Sequence, residues 1–361
     1  MRGSRSKVWL QHYPEGVPAD ITDQALACSS LVQVFDEACS QYADRYAYQS
    51  MGAAITYDEL NHYVHAVAAW LQSQGVKKGD RVALMMPNLI QYPVSLFAVL
   101  RAGAIAVNVN PLYILHELEH QLRDSGADTI IIAENFVHTL EKVLDRTDVH
   151  RVIVTGIGDM LGGLKGVVTN LVVRHVKKMV PAWKLDGTVR FMDMIRQGAD
   201  LTFNPVPLGH DDIALLQYTG GTTGRAKGAI LTHGNLVSNL CQACAWVMPH
   251  IDPDKPECIV TALPLYHIFA LTANCLVFLR LGAKNLLIVN ARDIPSLVKE
   301  MASNRFTAIT GVNTLFNALL NNPDFKKLDF SELKFALGGG MAVQQAVSER
   351  WLQVTGKPIA Q

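Results

Sequence analysis

The chain has 361 residues, 49% of them hydrophobic, with Lys+Arg and Asp+Glu balanced at 32 each. That balance gives no support to a nucleic-acid partner, and six cysteines in a chain of this length do not make a disulfide framework. The length predicts one large unit or more than one domain.

In chain order, Val8-Trp9-Leu10 is too short for a signal-peptide core. The stretch 59–74 carries Leu60, Val64, Val67, Ala68 and Leu71 on one helical face and ends at Gly75. A strand follows over 81–86, closed by Pro87, then a helix over 92–102 stopped by Gly103, and strands over 104–109, 128–133 and 151–155. The stretch 164–180 puts Leu164, Val167, Val168, Leu171, Val172, Val176, Met179 and Val180 on one stripe, with Arg174, Lys177 and Lys178 elsewhere. Two readings stay open: a helix packed on the body with a solvated basic face, or a basic amphipathic helix lying on an anionic membrane. The polar segment 197–212, with Pro205 and Pro207, sets a boundary between a first lobe, 1–204, and a second, 205–361.

The second lobe repeats the alternation, with strands over 214–218, 258–263, 285–289, 306–310 and 334–337. Helices fill 235–246, 267–281, 294–304, 314–320 and 343–354. Its longest apolar run, 268–279, is shorter than a bilayer crossing and closes with Arg280, so it reads as a buried helix. Alternating helices and strands predict an α/β fold, parallel sheets with helices on and between them, in a soluble cytoplasmic protein. Cys241-Gln242-Ala243-Cys244 falls inside a helix rather than at a helix start, which favours structural over redox thiols.

The chemistry concentrates in Tyr218-Thr219-Gly220-Gly221-Thr222-Thr223-Gly224-Arg225-Ala226-Lys227-Gly228. Glycine at this density weakens regular structure, so its backbone freedom serves something else. The apolar run Ile213-Ala214-Leu215-Leu216 precedes it, and Thr232-His233-Gly234-Asn235 reads as a helix start beyond it. A strand, a glycine turn and a helix N-terminus together make an anion site. The stretch fits neither G-x-x-x-x-G-K-[ST] nor G-x-G-x-x-G, so a phosphate loop here belongs to another class.

These residues resemble the signature of the adenylate-forming, or AMP-binding, superfamily, which includes acyl-CoA synthetases, firefly-type luciferases and peptide-synthetase adenylation domains. Thr56-Tyr57-Asp58-Glu59-Leu60, Leu263-Pro264-Leu265-Tyr266-His267 and Gly338-Gly339-Gly340-Met341 match other family segments in family order. The likeness is notable to bacterial long-chain fatty-acid–CoA ligases in Val107-Asn108-Val109-Asn110-Pro111-Leu112-Tyr113 and in 309–320. It implies activation of a long-chain fatty acid by ATP to an acyl-adenylate, followed by thioester formation with coenzyme A. It further implies that 218–224, Lys227 and Gly228 cradle the phosphates, that Thr222 meets a magnesium ion, and that Gly338 to Met341 stack adenine. By the same resemblance Lys227 and His267 are the catalytic residues, and His267, Gly311, Val312, Leu315 and Phe316 border the acyl chain. From sequence alone Val312, Leu315 and Phe316 serve equally well as core. The physical need is clear: two like charges about 4 Å apart at an effective dielectric near 20 repel by roughly 4 kcal/mol, and hydrogen bonds to charged groups contribute about 1.5–3 kcal/mol each.

Neighbouring readings within the family are a ligase that stops at the acyl-adenylate and one acting on medium-chain or aromatic acids. The resemblance leaves open a homodimer and peripheral contact with the inner membrane. A different class enters through His116-Glu117-Leu118-Glu119-His120, which satisfies H-E-x-x-H and its inverse. A zinc peptidase also needs a third ligand and a pocket, and the resemblance puts this segment on an ordinary surface helix. The family's Tyr-Gly-Leu-Thr-Glu-like segment and its C-terminal lid domain with a catalytic lysine have no counterpart through Gln361. The expectation is most of a large N-terminal domain, inactive by itself.

Overall fold

The computed structural model describes residues 7–220, 225–252 and 255–361. Its strands are β1 (Tyr46–Ser50), β2 (Ala53–Thr56), β3 (Arg81–Met85), β4 (Ile105–Asn108), β5 (Thr129–Ala133), β6 (Arg151–Thr155), β7 (Val189–Arg190), β8 (Ile213–Thr219), β9 (Lys227–Thr232), β10 (Cys258–Thr261), β11 (Lys284–Leu287), β12 (Ala308–Gly311), β13 (Phe335–Gly338) and β14 (Ile359–Ala360). They form two seven-stranded sheets, ordered β14-β13-β12-β10-β11-β1-β2 and β7-β6-β5-β3-β4-β8-β9. Each is parallel except at one edge, where β2 runs antiparallel to β1 and β9 antiparallel to β8. The α/β architecture is as expected, with mixed rather than purely parallel sheets.

The central strands β3, β4 and β5 are buried on both faces, as parallel strands covered by helices must be. The helix Tyr57–Ser73 starts in a capping box: Glu59 N–H donates to Thr56 Oγ1 at 3.1 Å, and Thr56 N–H donates to Glu59 Oε2 at 2.8 Å. Its apolar face packs against the helices Gln91–Arg101 and Phe191–Ala199. A second core gathers Phe316, Phe325 and Trp351 beside β12 and β13.

The sheets do not divide at 204/205. β1, carrying β2 on its far edge, leaves the first lobe to pair with β11, and β8, carrying β9, leaves the second to pair with β4. A polar linker marks a change of exposure, and here the chain crosses it without changing sheet. The hairpin Tyr46–Thr56, turning at Met51 (φ 48) and Gly52 (φ 73), carries no clear hydrophobic period that would reveal it in the sequence.

The helix Gly163–Leu171, continued by a wider turn Val172–Val176, docks through its small and polar side. Gly166 meets Gly158 so closely that a Cβ on Gly166 would lie 2.4 Å from the Gly158 carbonyl oxygen. Asn170 accepts from Gly158 N–H at 2.7 Å and donates to Asp159 at 2.8 Å. Those contacts turn the apolar stripe outward: Leu164 is 78% exposed and Val176 73%, with Val167, Val168, Leu171 and Met179 exposed as well. The reading of this stripe as packed on the body holds only for Val172 and Val180, which are half-buried, and is corrected for the rest. Among the described residues no helix is long and apolar enough to cross a membrane.

Candidate active site

A cavity of about 1410 Å³ opens where β4, β8, β10, β12 and β13 end, the position at which parallel α/β sheets place their sites. Its walls include Tyr218, Thr219 and Gly220 at the end of β8, and Arg225 and Ala226 at the start of the return. Leu263, Pro264 and His267 follow β10, Val312 follows β12, Gly340 follows β13, and the helix Leu115–Ser125 forms the facing wall.

The glycine stretch is a hairpin, not a strand–turn–helix. Thr219 pairs with Lys227 and Tyr218 with Gly228, so the ladder runs up to the loop. The helix His233–Val247 begins only after the six residues of β9, about 20 Å further on at strand rise. Its N-terminal dipole acts within its own first turn and does not reach the loop. Any anion held here is held by the hairpin and its neighbours. Gly221, Thr222, Thr223 and Gly224 lie outside the described residues.

Lys227 is exposed at the foot of the hairpin. Gly228 lies under the Tyr218 ring, where a Cβ would come within 3.0 Å of ring carbons. Burial, and then the hydrogen bond to Asp124, raise the Tyr218 phenol above its ordinary range, so it stays protonated and donates to Asp124 Oδ2 at 2.6 Å.

His267 caps the entry to the helical stretch 268–280, which widens at Leu271–Leu276, and its ring packs against Tyr266 at a centroid distance of 4.6 Å. Although the ring reaches the open cavity, the surrounding protein atoms lower its pKa by desolvation. Burial thus favours the neutral imidazole, which offers an N–H.

Of the other expected site residues, Val312 and Gly340 reach the cavity, and Gly340 has φ 78. Gly339 packs against Phe269, a Cβ there falling 2.6 Å from the ring, while Met341 points to solvent at 80% exposure. Gly338 is enclosed by Val343 and Ile359. Leu315 and Phe316 do not line the cavity. They are core residues, Phe316 packed on Trp351 at 4.9 Å, and Gly311 makes room for the Phe316 ring.

A buried polar network beneath the cavity was missed by sequence reasoning. Asn88 Nδ2 donates to the Thr261 and Leu263 carbonyls at 2.9 Å each, and Asn88 Oδ1 accepts from Leu265 N–H at 2.9 Å. The Tyr92 hydroxyl donates to Asn108 Oδ1 at 2.7 Å and lies 3.0 Å from the Leu265 carbonyl. Asn108 donates to Gln217 Oε1 at 3.0 Å, and Gln217 Nε2 donates to the Tyr266 carbonyl at 3.0 Å. Three side chains, Asn88 from the turn after β3, Tyr92 from the helix that follows and Gln217 from β8, thereby hold the segment of the other sheet that carries His267. The readable signal was a polar residue inside an apolar strand, since a polar group is buried only with partners.

The histidine pair also changes place. His116, Glu117 and His120 line the cavity, so their helix is no ordinary surface helix. His120 Nε2 is bonded to the Ala226 carbonyl at 2.9 Å, and among the described residues no group of three His, Cys, Asp or Glu side chains is placed to hold a metal ion. Zinc-peptidase chemistry loses its third ligand. Cys241 and Cys244 are buried and unpaired, with the Cys244 thiol pushed up to about 12 by burial, as structural thiols are.

A cavity of this size at the strand ends, with the glycine hairpin on one wall and His267 on another, is the candidate active site of an α/β enzyme. The chain belongs to the AMP-binding enzyme family, whose profile matches residues 35–361. It is 56% identical over 352 residues to a long-chain-fatty-acid–CoA ligase of Escherichia coli O6:H1, and 51% identical to one of Haemophilus influenzae. Each match takes in 97% of this chain and 62% of the relative, so the chain spans about three fifths of their length. In fold it is similar to an anthranilate CoA ligase in complex with anthranoyl-AMP, with a TM-score of 0.79 and 22% identity, covering 94% of this chain and 60% of that one. A long-chain-fatty-acid-CoA ligase from Archaeoglobus fulgidus gives a TM-score of 0.73 at 25% identity, covering 91% and 61%.

Proposed function

We propose that the complete enzyme activates a long-chain fatty acid with ATP and transfers the acyl group to coenzyme A. In the first step a carboxylate oxygen attacks the α-phosphorus. An acyl-adenylate forms, and the bond to the bridging oxygen breaks to release pyrophosphate. In the second the coenzyme A sulfur attacks the acyl carbon, AMP leaves, and the thiol proton passes to solvent. The observation that carries this reading is the meeting of hairpin, His267 and Gly340 around one cavity, in a chain more than half identical to proteins named for this activity.

In this reading the hairpin 218–228 holds the β- and γ-phosphates, with Lys227 at its foot. Gly338 to Met341 bound the adenine, and His267 donates an N–H to the carboxylate or the α-phosphate. Val312 borders the start of the acyl chain. Leu315 and Phe316 act through the core behind it. Magnesium suits this site because it is held largely by substrate phosphates and water, with Thr222 as the side chain expected to touch it. Bound there, it offsets phosphate charge. Pyrophosphate release driven by a long-chain fatty acid tests the reading. Lys227→Ala should lower kcat/KM for ATP roughly 10- to 100-fold, from the loss of a charged hydrogen bond. Unchanged kinetics would remove Lys227 from the phosphate site.

A second reading concerns where the enzyme works. The outward stripe Leu164, Val167, Leu171 and Val176, next to Lys165, Lys177 and Lys178, suits the interface of an anionic bilayer, which attracts both apolar and basic groups. Flotation with vesicles containing anionic phospholipid should carry the protein upward. Leu171→Asp with Val167→Asp should abolish this, and equal flotation of that double variant would rule the stripe out.

A further inference from the structure

The helix Leu115–Ser125 has no role in the reading above, yet one face of it grips both strands of the glycine hairpin. His120 and Asp124 stand one turn apart, so both project from the same face. His120 Nε2 lies 2.9 Å from the carbonyl oxygen of Ala226, on the returning strand. A carbonyl only accepts, so that nitrogen carries the hydrogen. Asp124 Oδ2 accepts from the Tyr218 hydroxyl at 2.6 Å, on the outgoing strand. The Tyr218 ring is also seated on Gly228, where a Cβ would lie 3.0 Å from it, which ties the outgoing strand to the returning one.

The helix is itself firmly seated. Leu118 and Leu122 are fully buried, and the fully buried Gln121 donates through Nε2 to the Asn108 carbonyl at 2.8 Å. At its C-terminus Gly126 takes φ 61, the left-handed turn that ends a helix. Strand ends that must be ordered when a ligand binds lose conformational entropy. Fixing them beforehand lowers that loss.

We propose that His120 and Asp124 are positioning residues which hold the two strand ends at Tyr218 and Ala226 in place for the nucleotide polyphosphate. The proposal rests on the reading of the hairpin as the nucleotide loop. In the complete enzyme, His120→Ala and Tyr218→Phe should each raise KM for ATP about five- to ten-fold, the worth of one hydrogen bond, and leave KM for the fatty acid unchanged. His120→Gln, whose amide Nε2 can donate to the same carbonyl, should recover most of the loss. Hydrogen exchange gives a readout free of nucleotide: the amides of 218–219 and 226–228, at the paired strand ends, should exchange faster in His120→Ala than in the parent.

Unchanged exchange in His120→Ala overturns the proposal, and so does a Gln variant no better than Ala. Faster exchange with KM for ATP moved by Lys227→Ala but not by His120→Ala overturns it too. Faster exchange with KM for ATP unmoved by either variant overturns the nucleotide reading itself.

Discussion

Asn88→Asp is nearly isosteric, and it isolates the joint between the two sheets. Asn88 is 3% exposed and makes three hydrogen bonds to the segment 261–265. An aspartate keeps the bond from Leu265 N–H but turns a carboxylate oxygen toward the carbonyls of Thr261 and Leu263. Thr261 O also receives Ile288 N–H at 3.1 Å, so Leu263 O loses the more. Two lost bonds in a buried setting cost about 1–3 kcal/mol each, and an unpaired buried charge adds to that, giving a destabilisation on the order of 4 kcal/mol at pH 7. Asn88→Ala loses the bonds without adding the charge, and should cost about 2–3 kcal/mol. The buried aspartate escapes by protonation, so its folded pKa lies above its unfolded value. The extra cost over Ala is largest near neutral pH and shrinks as pH falls toward 4. Urea denaturation of parent and variants at pH 7 and pH 5 reads both effects, and pyrophosphate release shows whether His267 has lost its place. An Asp variant within about 0.5 kcal/mol of the parent at pH 7 would refute the assignment of Asn88 as this joint.

His233 is 1% exposed and accepts Leu31 N–H at Nδ1 over 3.2 Å; burial pushes its pKa from 6.5 down to about 4, with Asp212 pulling the other way. The unfolded chain takes up that proton first, so stability falls as pH drops from 6.5 toward 4, by about 3 kcal/mol across the window. Denaturation midpoints against pH should lose this slope in His233→Asn, and an unaltered slope in that variant would exonerate His233. At the contact of the helices Tyr57–Ser73 and Phe191–Ala199, a Cβ on Gly198 would fall 2.0 Å from the Ala66 carbonyl oxygen. Gly198→Ala therefore forces two backbones apart and should cost about 3 kcal/mol. A melting temperature equal to the parent's would contradict that packing.

Strong periodicity made most elements legible. The strand over 81–86 and the helix over 59–74 appear within two residues of their expected ends, because burial on one or both faces imposed the pattern directly. β9 was hidden because it is an edge strand: Ile230 is 60% exposed, so its alternation reads like the flank of the helix that follows. The outward stripe 164–176 shows the same limit from the other side. Periodicity reveals that a helix has two faces, and here Gly158, Gly166 and Asn170 decide which one docks. At the site, the sequence singled out the glycine stretch and His267 but expected a helix start where β9 lies, and Asn88, Tyr92 and Gln217 act through partners far along the chain. Such pairings become visible only when two sheets meet.

The exchange of strands between the sheets has a consequence for biosynthesis. β1 leaves the ribosome well before β11, and Tyr48 pairs with Asn285, so one edge of the hairpin Tyr46–Thr56 waits until the residues through Leu287 have been translated. β4 likewise waits for β8, which closes over it only once Leu215 to Gln217 have emerged. No single cut of the polypeptide yields two complete sheets. A nascent chain stalled between them exposes unpaired strand edges, the kind of surface on which chaperones act and aggregates start.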